Sequence, residues 1–220
     1  MRLLIALSIL CFSTFSHAQV LVVNLYQPLP GKAGLTASYM HEAQEIHASL
    51  GLQTSFSSDL AGMYRYNMLF DNYEAFGKYV ATLNASPAWQ AFLAKTGASP
   101  SATQVDNILL NQRRAGPAVS PGMVTQVTVW EAPPGNMPRM LEAAMGSVAH
   151  HERQGAAGVS VWSEGNTTMY YATHHESMAE WGKFRDTPNP GFNAYMQSLM
   201  NPETGQLDAE VARVTILTTQ

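Results

Sequence analysis

Three short segments of this chain occur twice, in the same order and about 104 residues apart. Tyr26-Gln27-Pro28-Leu29-Pro30-Gly31 is echoed by Trp130-Glu131-Ala132-Pro133-Pro134-Gly135, and Phe76-Gly77-Lys78-Tyr79 by Trp181-Gly182-Lys183-Phe184. Ser86-Pro87-Ala88-Trp89-Gln90-Ala91-Phe92 is echoed by Asn189-Pro190-Gly191-Phe192-Asn193-Ala194-Tyr195. Chance rarely keeps three such matches in register. The chain therefore reads as two copies of one unit, 19–111 and 123–220, joined by a Gly/Pro/Ser-rich linker at 112–122 that carries Arg113 and Arg114.

Each copy carries the same succession of elements. A β-branched strand (20–27; 123–131) ends in a Pro-Gly turn and is followed by a helix (35–50; 137–154) stopped by Gly51 or Gly155. Tyr39, Ala43, Ile46 and Leu50 make the apolar stripe of the first helix, and Met137, Leu141, Met145 and Val148 that of the second. Two strands follow (53–57 and 63–70; 158–163 and 167–173). The next helices open on Asp71-x-x-Glu74 and Ser177-x-x-Glu180, where an oxygen acceptor and a carboxylate three residues on would satisfy free N–H groups. Short helices begin at Ser86-Pro87 and Asn189-Pro190, and strands near 103–110 and 209–218 close the copies.

A βαββαβ unit makes one antiparallel sheet with helices on one face. The first strand has large apolar side chains on both parities, Leu21, Val23 and Leu25 against Val22 and Tyr26, which a half-solvated sheet would not. The expected fold is α+β: two tandem ferredoxin-like repeats packed sheet-to-sheet as an α+β barrel within one chain. The result would be a monomer with pseudo-dimeric halves, a homodimer being the alternative, and an isolated copy would be poorly soluble.

Arg2, the apolar run Leu3–Phe15 and the small-residue end Ser16-His17-Ala18 read as a cleaved signal peptide, which makes the expected product secreted or periplasmic with Gln19 first. Cys11, the one cysteine, would leave with it, and with it any disulfide or thiolate chemistry. Losing Arg2 takes the net charge from −4 to −5, and no basic cluster exceeds Arg113-Arg114, so neither nucleic acid nor an anionic membrane is an expected partner.

On its element order and on the segments Phe76–Asn84 and Ser86–Phe92, the duplicated unit resembles the dimeric α+β barrel superfamily, which includes the antibiotic-biosynthesis-monooxygenase type. The resemblance covers nearly the whole chain after residue 18 and implies two units paired through their sheets, here within one molecule. Such folds host oxygenases, dismutase-like enzymes, peroxidases and binding proteins. Haem-degrading members have an asparagine on the first strand, matched by Asn24. Their tryptophan and histidine positions hold Thr82 and Leu93 in the first copy, and Met196 replaces the histidine in the second. That activity is not expected.

Candidate chemistry rests on few residues. His150-His151 and His174-His175 suggest imidazole ligands, yet sequence neighbours point apart on a helix and to opposite faces of a strand. Arg65 and Asn67 share a strand face, and Asp106 is the expected partner of that arginine. The leading reading is an exported protein that holds a small, partly apolar ligand between helices and sheet, lined by Tyr64, Tyr66, Trp162, Tyr170, Tyr171, His174 and His175. A second is a cofactor-independent monooxygenase in which Asn24, Arg65 or His175 steers deprotonation. A third is a periplasmic metal-binding protein using His151 with Met137, Met140 and Met145. No cofactor and no defined metal site is assigned.

Overall fold

The computed structural model describes residues 19–200 and 207–220; the expected leader, residues 1–18, lies outside them. The first half runs β1 (Val20–Pro28), α1 (Ala33–Ser49), β2 (Thr54–Asp59), β3 (Tyr64–Phe70), α2 (Tyr73–Ala85), α3 (Pro87–Ala98), β4 (Ala102–Arg114). The second repeats it as β5 (Val124–Glu131), α4 (Met137–Gln154), β6 (Gly158–Glu164), β7 (Thr168–His175), α5 (Met178–Asp186), α6 (Pro190–Leu199), β8 (Glu210–Thr219). β4 continues through Arg114, so both arginines belong to a strand rather than to the connection. Arg113 Nε donates to Ser163 Oγ at 2.9 Å, and Arg114 pairs with Glu152 on α4.

The sheets close into one antiparallel barrel in the order β1-β3-β2-β8-β5-β7-β6-β4. Each half contributes a four-stranded sheet, β4-β1-β3-β2 or β8-β5-β7-β6. The two sheets face each other across a lumen, and their edges are stitched at β2–β8 and β4–β6. Closure removes the free edges that would otherwise template aggregation. The duplication is exact enough to repeat an irregularity: the pairing slips at Leu25/Tyr26 against β4, and at the matching Val129/Trp130 against β8.

Strand alternation sorts side chains between two environments. Val23, Leu25, Ile108, Leu110, Val129 and Tyr170 meet inside the barrel. Outside, Met140, Ala144 and Val148 of α4 pack on Val159, Val161, Met169 and Tyr171, while Met40 and Ala43 of α1 pack on Phe56 and Tyr66.

The helix stripes differ from the apolar reading. α1 buries Thr36, Tyr39, Met40, Ala43 and His47, and α4 buries Met137, Met140, Ala143, Ala144, Ser147 and Val148, whereas Met145 is exposed. Polar residues that satisfy themselves inside explain the shift: Thr36 Oγ1 donates to the carbonyls of Lys32 and Ser101, and Ser147 Oγ to that of Ala143. At α2 the cap is Asn72, whose Oδ1 accepts from Ala75 N at 2.8 Å, rather than Asp71. Ser86, Ser177 and Asn189 cap their helices as expected.

Candidate functional site

Parity on the strands separates the residues expected to share one cleft. On β7, Tyr170, Ala172 and His174 face the lumen, whereas Met169, Tyr171 and Thr173 face the helices. Trp162 and Arg65 join the lumen group. Tyr64 and Tyr66 pack under the helices of the first half, and Tyr171 under those of the second. His175 is fully buried against Phe184 of α5, ring centroids 4.7 Å apart, and lines neither cavity described below. Asn24 is also committed elsewhere: its Oδ1 accepts from Asn107 Nδ2 at 2.6 Å and from Gln104 Nε2 at 3.1 Å.

Each half holds a histidine four residues before the glycine that ends its first helix, His47 before Gly51 and His151 before Gly155. His47 is 2 % exposed, and its Nδ1 is hydrogen-bonded to the hydroxyl of Tyr79. The rings of Tyr66, Tyr79 and Trp89 surround it at 5.6, 5.7 and 5.2 Å. His151 stands in the equivalent box, where the repeat puts Phe184 for Tyr79 and Phe192 for Trp89. With the Tyr79 hydroxyl gone, His151 Nδ1 bonds instead to Tyr171, the counterpart of Tyr66, at 2.7 Å. Tyr66 donates to Thr54 Oγ1 in the first half.

The smaller rings leave space. A cavity of about 380 Å³ opens beside His151 and Tyr171, between the outer face of β5 and β7 and the helices α4, α5 and α6. Met140, Met169, Phe184, Phe192 and Met196 supply apolar wall, and Gln126, Thr128 and Thr173 supply polar positions along the strands. Burial, with lesser contributions from His150 and His175, pulls His151 down to about 4, so its imidazole is neutral near pH 7. Burial likewise raises the Tyr171 phenol, keeping it protonated. The uncharged pair shares one hydrogen bond in either tautomer and has one donor and one acceptor left for a ligand. From the sequence, Tyr171 is expected as ligand lining and His151 as a metal ligand, but the two are not joined. The signal was present in the spacing to the two glycines and in the exchange of Tyr79 and Trp89 for phenylalanines between matched segments.

The barrel lumen holds a larger cavity of about 500 Å³, lined by Leu21, Val23, Ile108, Leu110, Val127 and Trp162 and by a few polar groups. At one side the connection 115–119 packs over it, with Gly116 against Ser160 and His174. His174 spends both nitrogens, Nδ1 with Thr125 Oγ1 at 3.1 Å and Nε2 with Ser160 Oγ at 2.9 Å, and burial holds it neutral at about 4. Arg65 pairs with Asp59 at 3.1 Å and not with the exposed Asp106, because Asp59 ends the neighbouring strand β2 and points back along it.

The metal reading finds little geometry. Among the described residues no three His, Cys, Asp or Glu side chains group as ligands. His174 and His175 lie on opposite faces of β7. His150 stacks on Tyr195 at 5.4 Å while His151 turns inward, and Met145 points to solvent away from Met140. Thr82 and Leu93 are exposed, and Met196 lines the helix–sheet cavity.

No protein-family profile and no curated protein sequence matches the chain. Solved structures do. A Lactobacillus acidophilus protein provisionally described as a monooxygenase is similar over 92% of this chain and 94% of that one, at 13% identity and a TM-score of 0.64. A Fusobacterium nucleatum protein with the same provisional description matches over 92% of each chain, at 12% identity and a TM-score of 0.62. An anthrone oxidase-like protein matches over 92% of each, at 13% and 0.59. At such identities the likeness is one of fold. The architecture shared with them is a ferredoxin-type α+β barrel, here with both units in one chain.

Proposed function

We propose that the protein is exported and holds a small, partly apolar ligand in the helix–sheet cavity of its second half. The observation that carries this is the inequality of the two histidine boxes. The same backbone position is packed shut by Trp89 and Tyr79 in one half and opened by Phe192 and Phe184 in the other, beside a neutral His151–Tyr171 pair. A cavity of about 380 Å³ with apolar walls and a few convergent polar groups suits a compact aromatic or alicyclic molecule with one hydroxyl or carbonyl. Native mass spectrometry of the exported protein should show a retained small molecule that Met140→Trp, which fills the cavity, displaces. Identical spectra for the two proteins would refute the site, and a chain retained in the cytoplasm with residues 1–18 uncleaved would refute the export.

A second reading, a cofactor-independent oxygenase, draws on the fold likeness and on the same pair. Substrate itself would reduce oxygen, and His151 would accept the proton of an acidic enol or phenol, its basicity raised by the anion then formed beside it. Oxygen uptake with anthrones or naphthols, lost in both His151→Phe and Tyr171→Phe, is the result that reading requires. Uptake that persists in both variants rejects it.

A further inference from the structure

The lumen cavity lies on the far side of the sheet from the His151 pocket and shares none of its lining. Its wall is mostly apolar, yet it carries polar groups with unfilled hydrogen-bonding capacity. Ser57 is 4 % exposed, and its Oγ has no hydrogen-bond partner among the described residues. Directly across the β2–β3 ladder stands Arg65, whose guanidinium has five N–H donors and, among the described residues, one hydrogen bond, to Asp59. Arg213 of β8 lines the same cavity and has no acid within ion-pair distance among the described residues. Asp59 pairs with Arg65, and Arg213 shares the Tyr170 end of the lumen with Glu164 and Asp106. The orphaned, buried Ser57 hydroxyl costs stability unless something pairs with it, whereas the exposed Arg213 is met by water.

We propose that the barrel lumen is a second ligand site that takes an amphipathic carboxylate, its charged group accepting from Arg65 and Ser57 and its apolar body lying along Leu21, Ile108 and Trp162. A carboxylate fits because its two oxygens accept several donors at once, and a guanidinium binds it by two parallel bonds. A neutral apolar guest would leave the same donors unmet. A volume of about 500 Å³ accommodates an aryl-alkyl acid.

Titration calorimetry of the mature chain with 4-phenylbutyrate and with the neutral 4-phenylbutanol tests this. The acid should bind about tenfold or more tightly than the alcohol, as expected for charge-assisted hydrogen bonds. Ser57→Ala, which removes the unpartnered hydroxyl, should lower affinity for the acid several-fold. Ala172→Phe, which fills the lumen, should abolish binding. Met140→Trp blocks only the helix–sheet cavity and should leave the acid's affinity unchanged. Equal affinity for acid and alcohol, no saturable binding of the acid, or loss of binding in Met140→Trp would each overturn the proposal. The first two leave the His151 site standing. Should Ala172→Phe fail to fold, Ser57→Ala and the acid–alcohol comparison decide.

Discussion

At the start of α2, Asp71 and Asn72 both offer an oxygen, and only the one with extended backbone can reach the free N–H groups. Asn72 has φ −168° and ψ 177° and does so. Asn72→Ala should therefore cost about 1 kcal/mol in urea unfolding, and Asp71→Ala less than about 0.5 kcal/mol. The spacing Asp71-x-x-Glu74 is as good a pattern as any, but where β3 ends decides between neighbours, and that is not written locally. The buried histidines have a pH signature. His47 and His174 are held at about 4 against an ordinary value of about 6.5, so between those values the unfolded chain binds more protons than the folded one. Their contribution is complete above about pH 6.5 and is lost as pH falls toward 4, on the order of 2 kcal/mol for each. The urea midpoint should drop across that window and flatten below it. Tyr79→Phe, which removes the hydroxyl bonded to His47, should shift the drop. These histidines were visible in the sequence as residues but not as partners, because His47 bonds from α1 to Tyr79 on α2, and His174 from β7 to hydroxyls on β5 and β6.

Among elements, the connection 115–119 is more than a tether. A Cβ on Gly116 would stand 2.8 Å from Ser160 Cβ and 2.9 Å from His174 Nε2, both buried. Gly116→Ala should destabilise by about 1–3 kcal/mol and lift the strap from the lumen, seen as faster amide exchange at Ser160 and His174. Helix and strand order was legible throughout, since 3.6- and 2-residue periods and Pro-Gly punctuation are local. Half of each helix stripe was legible, Tyr39 and Ala43 on α1 and Met137 and Val148 on α4, but counting apolar residues passes over Thr36, His47 and Ser147, which go inside by finding partners. The candidate site was legible only in part. Tyr170, Tyr171 and His174 were grouped as the lining of one cleft, but the sheet has two faces, and alternation sends Tyr171 to the helix side and the other two to the lumen.

For the molecule as a whole, the two halves meet along short seams, with three paired positions each at β2–β8 and β4–β6, and across the lumen. A chain cut between Val119 and Ser120 should hold together as two fragments when co-expressed. Either fragment alone, with two bare strand edges and one apolar sheet face, should aggregate or pair with itself in analytical ultracentrifugation. The duplication that foretold this was the most legible thing in the sequence, since it needs only the chain compared with itself. Its consequence reaches past folding. In a barrel assembled from two identical subunits, any substitution is made twice, so a change that improves a pocket in one place must be tolerated at its mirror position. Here a single reading frame encodes both sites separately. One descendant can harden into ballast around His47 while its sibling around His151 is free to drift toward a new guest, and selection can weigh each without the other.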